Sequence, residues 1–243
     1  MYYNAVVNED TLKSSKLPNK VYQRLLKIWD HPDFSDFFSE FVQKPSHLVK
    51  KGTVIFNHGD TLERLYFIKE GFVKLYRLSD EGRETTIYLY GPGSMLGVRA
   101  LTSEDESAKH FAEAITDLQI NTITRREYFD IVSNHPEYLL DLLHIFIDRL
   151  NYTERKLEGF IITDTTARVA YFLYDCVIRF CKEEDNIELP LPLTHQRIAE
   201  FVGSFRETVT LSMNKLEKEG VLKFKRGRVT ILNLDKLKEY ATL

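Results

Sequence analysis

Gly203 constrains this chain more than any other residue. It stands inside LTHQRIAEFVGSFRETVTLSMNKLEKEG (residues 193–220), where apolar side chains recur at helical spacing on both sides of it. A glycine inside a helix costs about 1 kcal/mol relative to alanine, which disfavours one long helix. A left-handed residue between two shorter helices suits it better, because that conformation favours a backbone without a Cβ. Thr194 is the expected N-cap of a first helix over His195–Val202, with Ile198, Ala199 and Val202 turned inward. The second helix is expected to begin near Ser204 and to bury Val209, Met213 and Leu216, spaced i, i+4, i+7. The following GVLKFKRGRVTILNLDKLKEY reads as strand, Arg226-Gly227 turn, strand and terminal helix. Helix, turn, helix and basic hairpin make a winged helix-turn-helix.

Upstream the texture differs. Residues 18–43 read as one or two amphipathic helical pieces interrupted at Pro32. From about 45 to 124, short β-branched and aromatic runs are separated by Gly52, Gly59, Gly71, Gly82, Gly91, Gly93 and Gly97. Alternation is clear over Phe72–Leu78, and Asp80-Glu81-Gly82 is a hairpin-type turn. Many short strands at this spacing predict a small β-roll or barrel. Helical spacing returns with Thr124 as N-cap and Glu127 three residues later, a capping box for a helix over Arg125–Ser133.

After Pro136 comes a continuous helical pattern through Ile161, about 40 Å long at 1.5 Å per residue. Its Leu139, Leu142, Leu143, Phe146, Ile147, Leu150 and Leu157 make more than one apolar stripe, so the helix is expected to pair with a second copy. Asp164 is the expected cap of the next helix and marks a hinge, and residues 183–192 read as a polar, proline-containing connection. The fold class is therefore α+β. The expected units are a β-roll with flanking helices (1–135), a long dimerisation helix (136–162) and a winged helix-turn-helix (163–243), in keeping with a length above that of most single domains.

Charge is uneven. Residues 194–228 hold eight Lys and Arg against four Glu, while the remainder holds 25 against 32, on a chain of net charge −3. A small basic region on an acidic body fits focused contact with a polyanion. No apolar run reaches the roughly 18 residues of a membrane span, and MYYNAVVNEDTLKSS lacks a signal-peptide profile, so a cytoplasmic protein is expected. Cys176 and Cys181, five residues apart, fall on different helix faces and read as structural thiols.

A second helix with this pattern suits the major groove of double-stranded DNA. Ser204, Arg206, Glu207, Thr208, Thr210 and Leu211 lie toward its exposed N-terminal half, where base edges are met. Arginine donates bidentately to guanine, and glutamate accepts from cytosine. Thr194, Lys215 and Lys218, with Lys225, Arg226 and Arg228 on the hairpin, suit phosphate contacts that set register.

With these residues in view, the chain resembles the Crp/Fnr superfamily of bacterial transcription factors from about residue 20 onward. The strongest parts are the 193–223 block and EGFVKLYRLSDEGRE…GPGSMLG. The resemblance implies an effector-binding β-roll, a homodimer along the long helix, a hinge at Asp164, a DNA-reading winged helix and contact with RNA polymerase, and no enzymatic activity. Arg206 and Glu207 match the family's base-reading pair. Leu211 stands where a third reading residue is usually arginine, so the operator is expected to depart from the common half-site at that base pair.

The effector pocket departs further. Cyclic-nucleotide binders carry Gly-Glu where this chain has Gly97-Val98, after Leu96, and an arginine that is missing from Ser107–Ala112. Arg99 and Lys109 offer charge without that bidentate geometry. Thr153 falls about where the family's base-contacting threonine lies. Residues 1–60 lack the cysteines of the iron–sulfur members, and no metal-ligand spacing or cofactor is identified, although His58 and His110 are available in the roll. The expectation is a small-molecule effector other than cAMP, held by Leu96, Gly97, Val98, Arg99, Lys109, His110 and Thr153. An atypical cyclic-nucleotide pocket and an effector-independent regulator stand as alternatives.

Overall fold

The β-branched and aromatic runs between residues 47 and 124 form eight strands in the computed structural model, which describes residues 45–102, 107–161, 164–181 and 186–241. The strands are β1 (His47–Val49), β2 (Val54–Phe56), β3 (Arg64–Glu70), β4 (Val73–Leu78), β5 (Glu84–Tyr90), β6 (Met95–Leu96), β7 (Phe111–Ala114) and β8 (Leu118–Thr124). They sort into two four-stranded sheets, β1-β8-β3-β6 and β2-β7-β4-β5, with every pairing antiparallel. Phe56, Ile68, Val73, Leu75, Leu96, Ala112, Leu118 and Ile120 fill the roll between them. Ala112 pairs with Leu75 and Ala114 with Val73, the small-against-large alternation that lets a narrow roll close.

Helix α1 (Arg125–Asn134) carries the expected capping box: Glu127 N–H donates to Thr124 Oγ1 at 3.2 Å, and Thr124 N–H to the Glu127 carboxylate at 2.7 Å. Helix α2 (Tyr138–Ile161) runs 24 residues, about 36 Å. Its first turns pack Tyr138, Leu142 and Ile145 with Tyr128 and Val132 of α1 against Leu65, Phe67 and Met95 of the roll. Leu142 therefore serves the roll's own core more than the outward stripe. Helix α3 (Thr165–Phe180) begins on Asp164, whose carboxylate accepts from Thr166 N–H at 2.9 Å.

Strand β9 (Ile187–Glu188), helices α4 (His195–Val202) and α5 (Arg206–Lys218), strands β10 (Leu222–Lys225) and β11 (Arg228–Ile231) and helix α6 (Leu234–Tyr240) complete the second unit. Its core joins Leu173, Ile198, Val209, Met213, Leu216, Val229 and Leu237 and continues onto Phe72, Leu89 and Ile115 of the roll. Gly203 closes α4 in the left-handed region at φ 63°, ψ 46°.

Three expectations need correction or placement. The second helix begins at Arg206, not Ser204: Ser204 N–H still bonds back to Ala199, and an extended Phe205 at φ −93°, ψ 149° must turn the chain first. The 183–192 connection contains β9, paired through Ile187 to Ile231; a two-residue strand is too short to alternate. The helical pieces expected over 18–43 lie outside the described residues.

Strand β5 is a sheet edge, and the helical half covers it. Lys156 Nζ donates to the Thr86 carbonyl at 2.6 Å and Arg179 Nη2 to the Leu89 carbonyl at 2.6 Å. Carbonyls that would invite another strand are thereby satisfied. Burial lowers the Lys156 amine to a pKa of about 8. Cys176 is buried and Cys181 partly so, both as free thiols. Among the described residues no helix is long and apolar enough to cross a membrane.

Candidate nucleic-acid interface and effector cavity

Helix α5 buries Val209, Ser212, Met213 and Leu216, which leaves Arg206, Glu207 and Leu211 on the open face. Leu211 is 70 % exposed, an apolar side chain held out where no protein atom requires it. Phe205 provides no side-chain cap, so the first amides of α5 and the positive end of its dipole stay open, an arrangement that suits phosphate. An arginine and a glutamate on the first turn of such a helix have the reach to donate and accept at base edges.

The other expected DNA residues are placed more variously. Thr194 is consumed as N-cap of α4, its hydroxyl accepting from Arg197 N–H at 3.1 Å. Thr210 is half-buried, and its hydroxyl donates to the Arg206 carbonyl at 2.8 Å. Thr208 and Ser204 are half-buried as well. Lys215 leans over the Tyr240 ring at 5.3 Å, so α6 holds its ammonium. Arg228 pairs with Glu188 at 3.0 Å, whereas Lys225 and Arg226 stand exposed at the hairpin tip with Lys223 near them.

His195 is a residue that the sequence reading did not single out. Its Nδ1 lies 2.8 Å from Thr210 Oγ1, and its ring stacks on Phe224 of the hairpin at 4.5 Å. Because Thr210 gives its proton to Arg206, Nδ1–H must be the donor to Thr210. Burial first, then nearby Arg206, lowers its pKa. One imidazole thus ties α4, α5 and the hairpin together; no periodicity or spacing marks it.

At the other end, Leu96, Gly97, Val98, Arg99, Lys109 and His110 surround one cavity of about 30 Å³, with Arg149 entering from α2. Gly97 has φ +79°, and a Cβ there would meet the Arg64 carbonyl oxygen at 2.5 Å. Its backbone swings the chain into a 3-10 turn over Val98–Leu101, which brings Arg99 to the cavity wall. No Asp or Glu is among the described lining residues. Burial, then Arg149, Arg77, Arg99 and His58, push His110 down to a pKa of about 4. Thr153 does not line this cavity; it is exposed and returns its hydroxyl to the Arg149 carbonyl at 2.8 Å.

A larger cleft of about 570 Å³ adjoins, sharing Tyr90, Val98 and Arg149 with the small cavity. The Arg149 guanidinium lies 5.7 Å from the Tyr88 ring centre and 5.9 Å from that of Tyr90. Arg179 lies 4.7 Å from Tyr88 and 5.1 Å from Tyr152. Nothing in the sequence pattern united these residues, because they come from β5, α2 and α3. Along the outer side of α2, Leu139, Leu143, Phe146, Ile147, Leu150 and Leu157 are each between 41 and 59 % exposed. Among the described residues no cluster of His, Cys, Asp and Glu is placed to hold a metal ion.

Comparison with known proteins matches this arrangement on both halves. Residues 47–135 fit the model of the cyclic nucleotide-binding domain, and residues 167–240 fit that of the Crp-like helix-turn-helix domain. The chain is 30 % identical to the transcriptional regulator SdrP of Thermus thermophilus, over 78 % of this chain and 94 % of that protein. It is 30 % identical to the global nitrogen regulator of Synechococcus elongatus, over 76 % of this chain and 84 % of that protein. Among solved structures, a transcriptional regulator of the CRP/FNR family from Thermus thermophilus superposes with a TM-score of 0.67 at 30 % identity, covering 82 % of this chain and 99 % of that one. A β-roll, a long helix and a Crp-like winged helix with Arg206, Glu207 and Leu211 exposed on its second helix define a DNA-binding transcriptional regulator. The chain belongs to the Crp/Fnr family.

Proposed function

We propose that this regulator acts as a homodimer joined along α2, reads a two-fold-symmetric operator through Arg206 and Glu207, and answers to an anionic small molecule at the mouth of the roll. The observation that carries the effector reading is the set of cations around His110, with no carboxylate in the described wall. A cavity that keeps an imidazole neutral against nearby arginines gains most from a ligand carrying negative charge. The cations at the small cavity suit an anionic head, and the tyrosine-lined cleft beside it suits a planar or apolar body. A cyclic nucleotide fits less well, since neither a ribose-binding carboxylate after Gly97 nor the phosphate-binding arginine is present. The exposed apolar side of α2 favours a second copy as its partner. Residues 1–135, 136–162 and 163–243 then act as sensor, dimer helix and reader.

Selection of binding sites from random duplex DNA by the purified chain tests the reader. The expected product is a symmetric site with half-sites about one helical turn apart. Thermal shifts with small dicarboxylates, phosphate esters and cyclic nucleotides test the sensor. An anion that raises the melting temperature should also raise the His110 pKa, followed by its imidazole NMR signals. Stabilisation by uncharged compounds alone contradicts the effector reading.

A further inference from the structure

The reading helix is gripped from outside its own domain. The turn between β4 and β5 is pinned by Gly82 N–H to the Ser79 carbonyl at 2.9 Å, Ser79 N–H to the Arg83 carbonyl at 2.9 Å and Arg83 N–H to Ser79 Oγ at 3.1 Å. From that fixed base the Arg83 side chain crosses to the winged helix. Its Nη2 donates to the Ser204 carbonyl at 3.2 Å, and its guanidinium carbon lies 4.7 Å from the centre of the Phe205 ring. Ser204 and Phe205 are the two residues between the left-handed Gly203 and the first residue of α5.

Phe205 is an unusual occupant of this position. N-caps favour Ser, Thr, Asp or Asn, and an exposed phenylalanine satisfies no amide. Here it is 64 % exposed and offers a ring face to a cation from another domain. The turn is also anchored inward. Glu84, next to Arg83, holds Lys74 at 2.7 Å, and Lys74 reaches Glu113 of β7 at 3.2 Å. Lys74 is nearly buried between these carboxylates. The same strand places Leu75 on the wall of the roll cavity, and Glu113 follows His110 by three residues.

We propose that Arg83 is a positioning residue for DNA recognition: by holding the Ser204 carbonyl and the Phe205 ring, it fixes where α5 starts relative to the roll and so aims Arg206 and Glu207. This gives the roll a hold on the reading helix within one chain, separate from the long helix and the Asp164 hinge. The proposal rests on α5 being the recognition helix.

Two readouts on the full chain test it. Without DNA, amide hydrogen exchange over residues 203–209 should accelerate several-fold in Arg83→Ala, while β3 and β8 exchange as in the parent. Phe205→Leu should match it, Phe205→Tyr should restore slow exchange, and Arg83→Ala with Phe205→Leu should add nothing further. On the selected operator, Arg83→Ala should bind about tenfold more weakly, the size of one lost charge-assisted hydrogen bond. The dependence of log K on log salt should keep its slope. Unchanged exchange overturns the clamp. A slope reduced by about 0.9 makes Arg83 a phosphate contact instead, and tighter operator binding makes the hairpin inhibitory; either overturns the positioning role. If the parent chain selects no operator either alone or with the anion that stabilises it, the assignment of α5 as reader fails, while the exchange arm still decides whether the clamp exists.

Discussion

The two ends of this molecule use positive charge in opposite ways. On the winged helix, Arg206, Lys225 and Arg226 stand in solvent, where salt screens them and a polyanion displaces counterions. At the roll, Arg149 and His110 are half-buried, and desolvation with neighbouring arginines forces the imidazole to stay neutral. Exposed cations give long-range attraction and register. Half-buried ones store an electrostatic cost that a suitable anion relieves, which makes them selective. On the proposed function, the difference separates the partner that is always charged and abundant from the one whose arrival carries information.

The comparison can be tested first at the support of the reading face. Leu216→Ala, in a fully buried position, should cost about 2–5 kcal/mol in denaturant unfolding, and the loss should appear in α5 and the hairpin before the roll. Next, Arg206→Ala should lose about 1–3 kcal/mol of operator affinity and relax discrimination at one base pair. At the roll, Arg149→Gln should abolish the anion-induced thermal shift while DNA binding without ligand is kept; loss of both would mean that the two ends are not separable. Lys225→Ala should weaken binding to all sequences alike and reduce the salt slope by about 0.9.

The remaining test is a pH dependence. His110 has its pKa lowered to about 4 in the folded chain against 6.5 unfolded, so the unfolded state binds the extra proton between these values. Its contribution to stability is present above about pH 6.5 and is lost as the pH falls toward 4. Melting curves of His110→Phe should lack that part of the acid dependence, and a bound anion should shrink it in the parent.

The reading end was legible because it is local. Gly203, the Val209–Met213–Leu216 spacing and Arg226-Gly227 lie within one continuous stretch, where helix and turn chemistry act between near neighbours. Thr124 with Glu127, and Asp164 before α3, were readable for the same reason. The start of α5 was misplaced by two residues because closing α4 onto Ala199 uses Ser204, a tertiary detail of the turn. The sensor end was only partly readable. Leu96–Arg99 and Lys109-His110 came from the motif, but Arg149, Tyr88 and Arg179 reach the site from three elements brought together by the fold. Thr153 was placed by position along α2, and one residue on a helix turns a side chain by about 100°, enough to leave the cavity. Arg83 and His195 carry no sequence signal, since their partners are 121 and 15 residues away.

The most direct measurement is the ratio of affinities for the selected operator and for a scrambled duplex of equal length, at one fixed salt concentration, in the parent chain and in Arg206→Ala. A sequence-reading α5 predicts a ratio of about a thousand or more that falls about fivefold or more in the variant. A ratio near one in the parent, or a high ratio that Arg206→Ala leaves intact, would contradict the account.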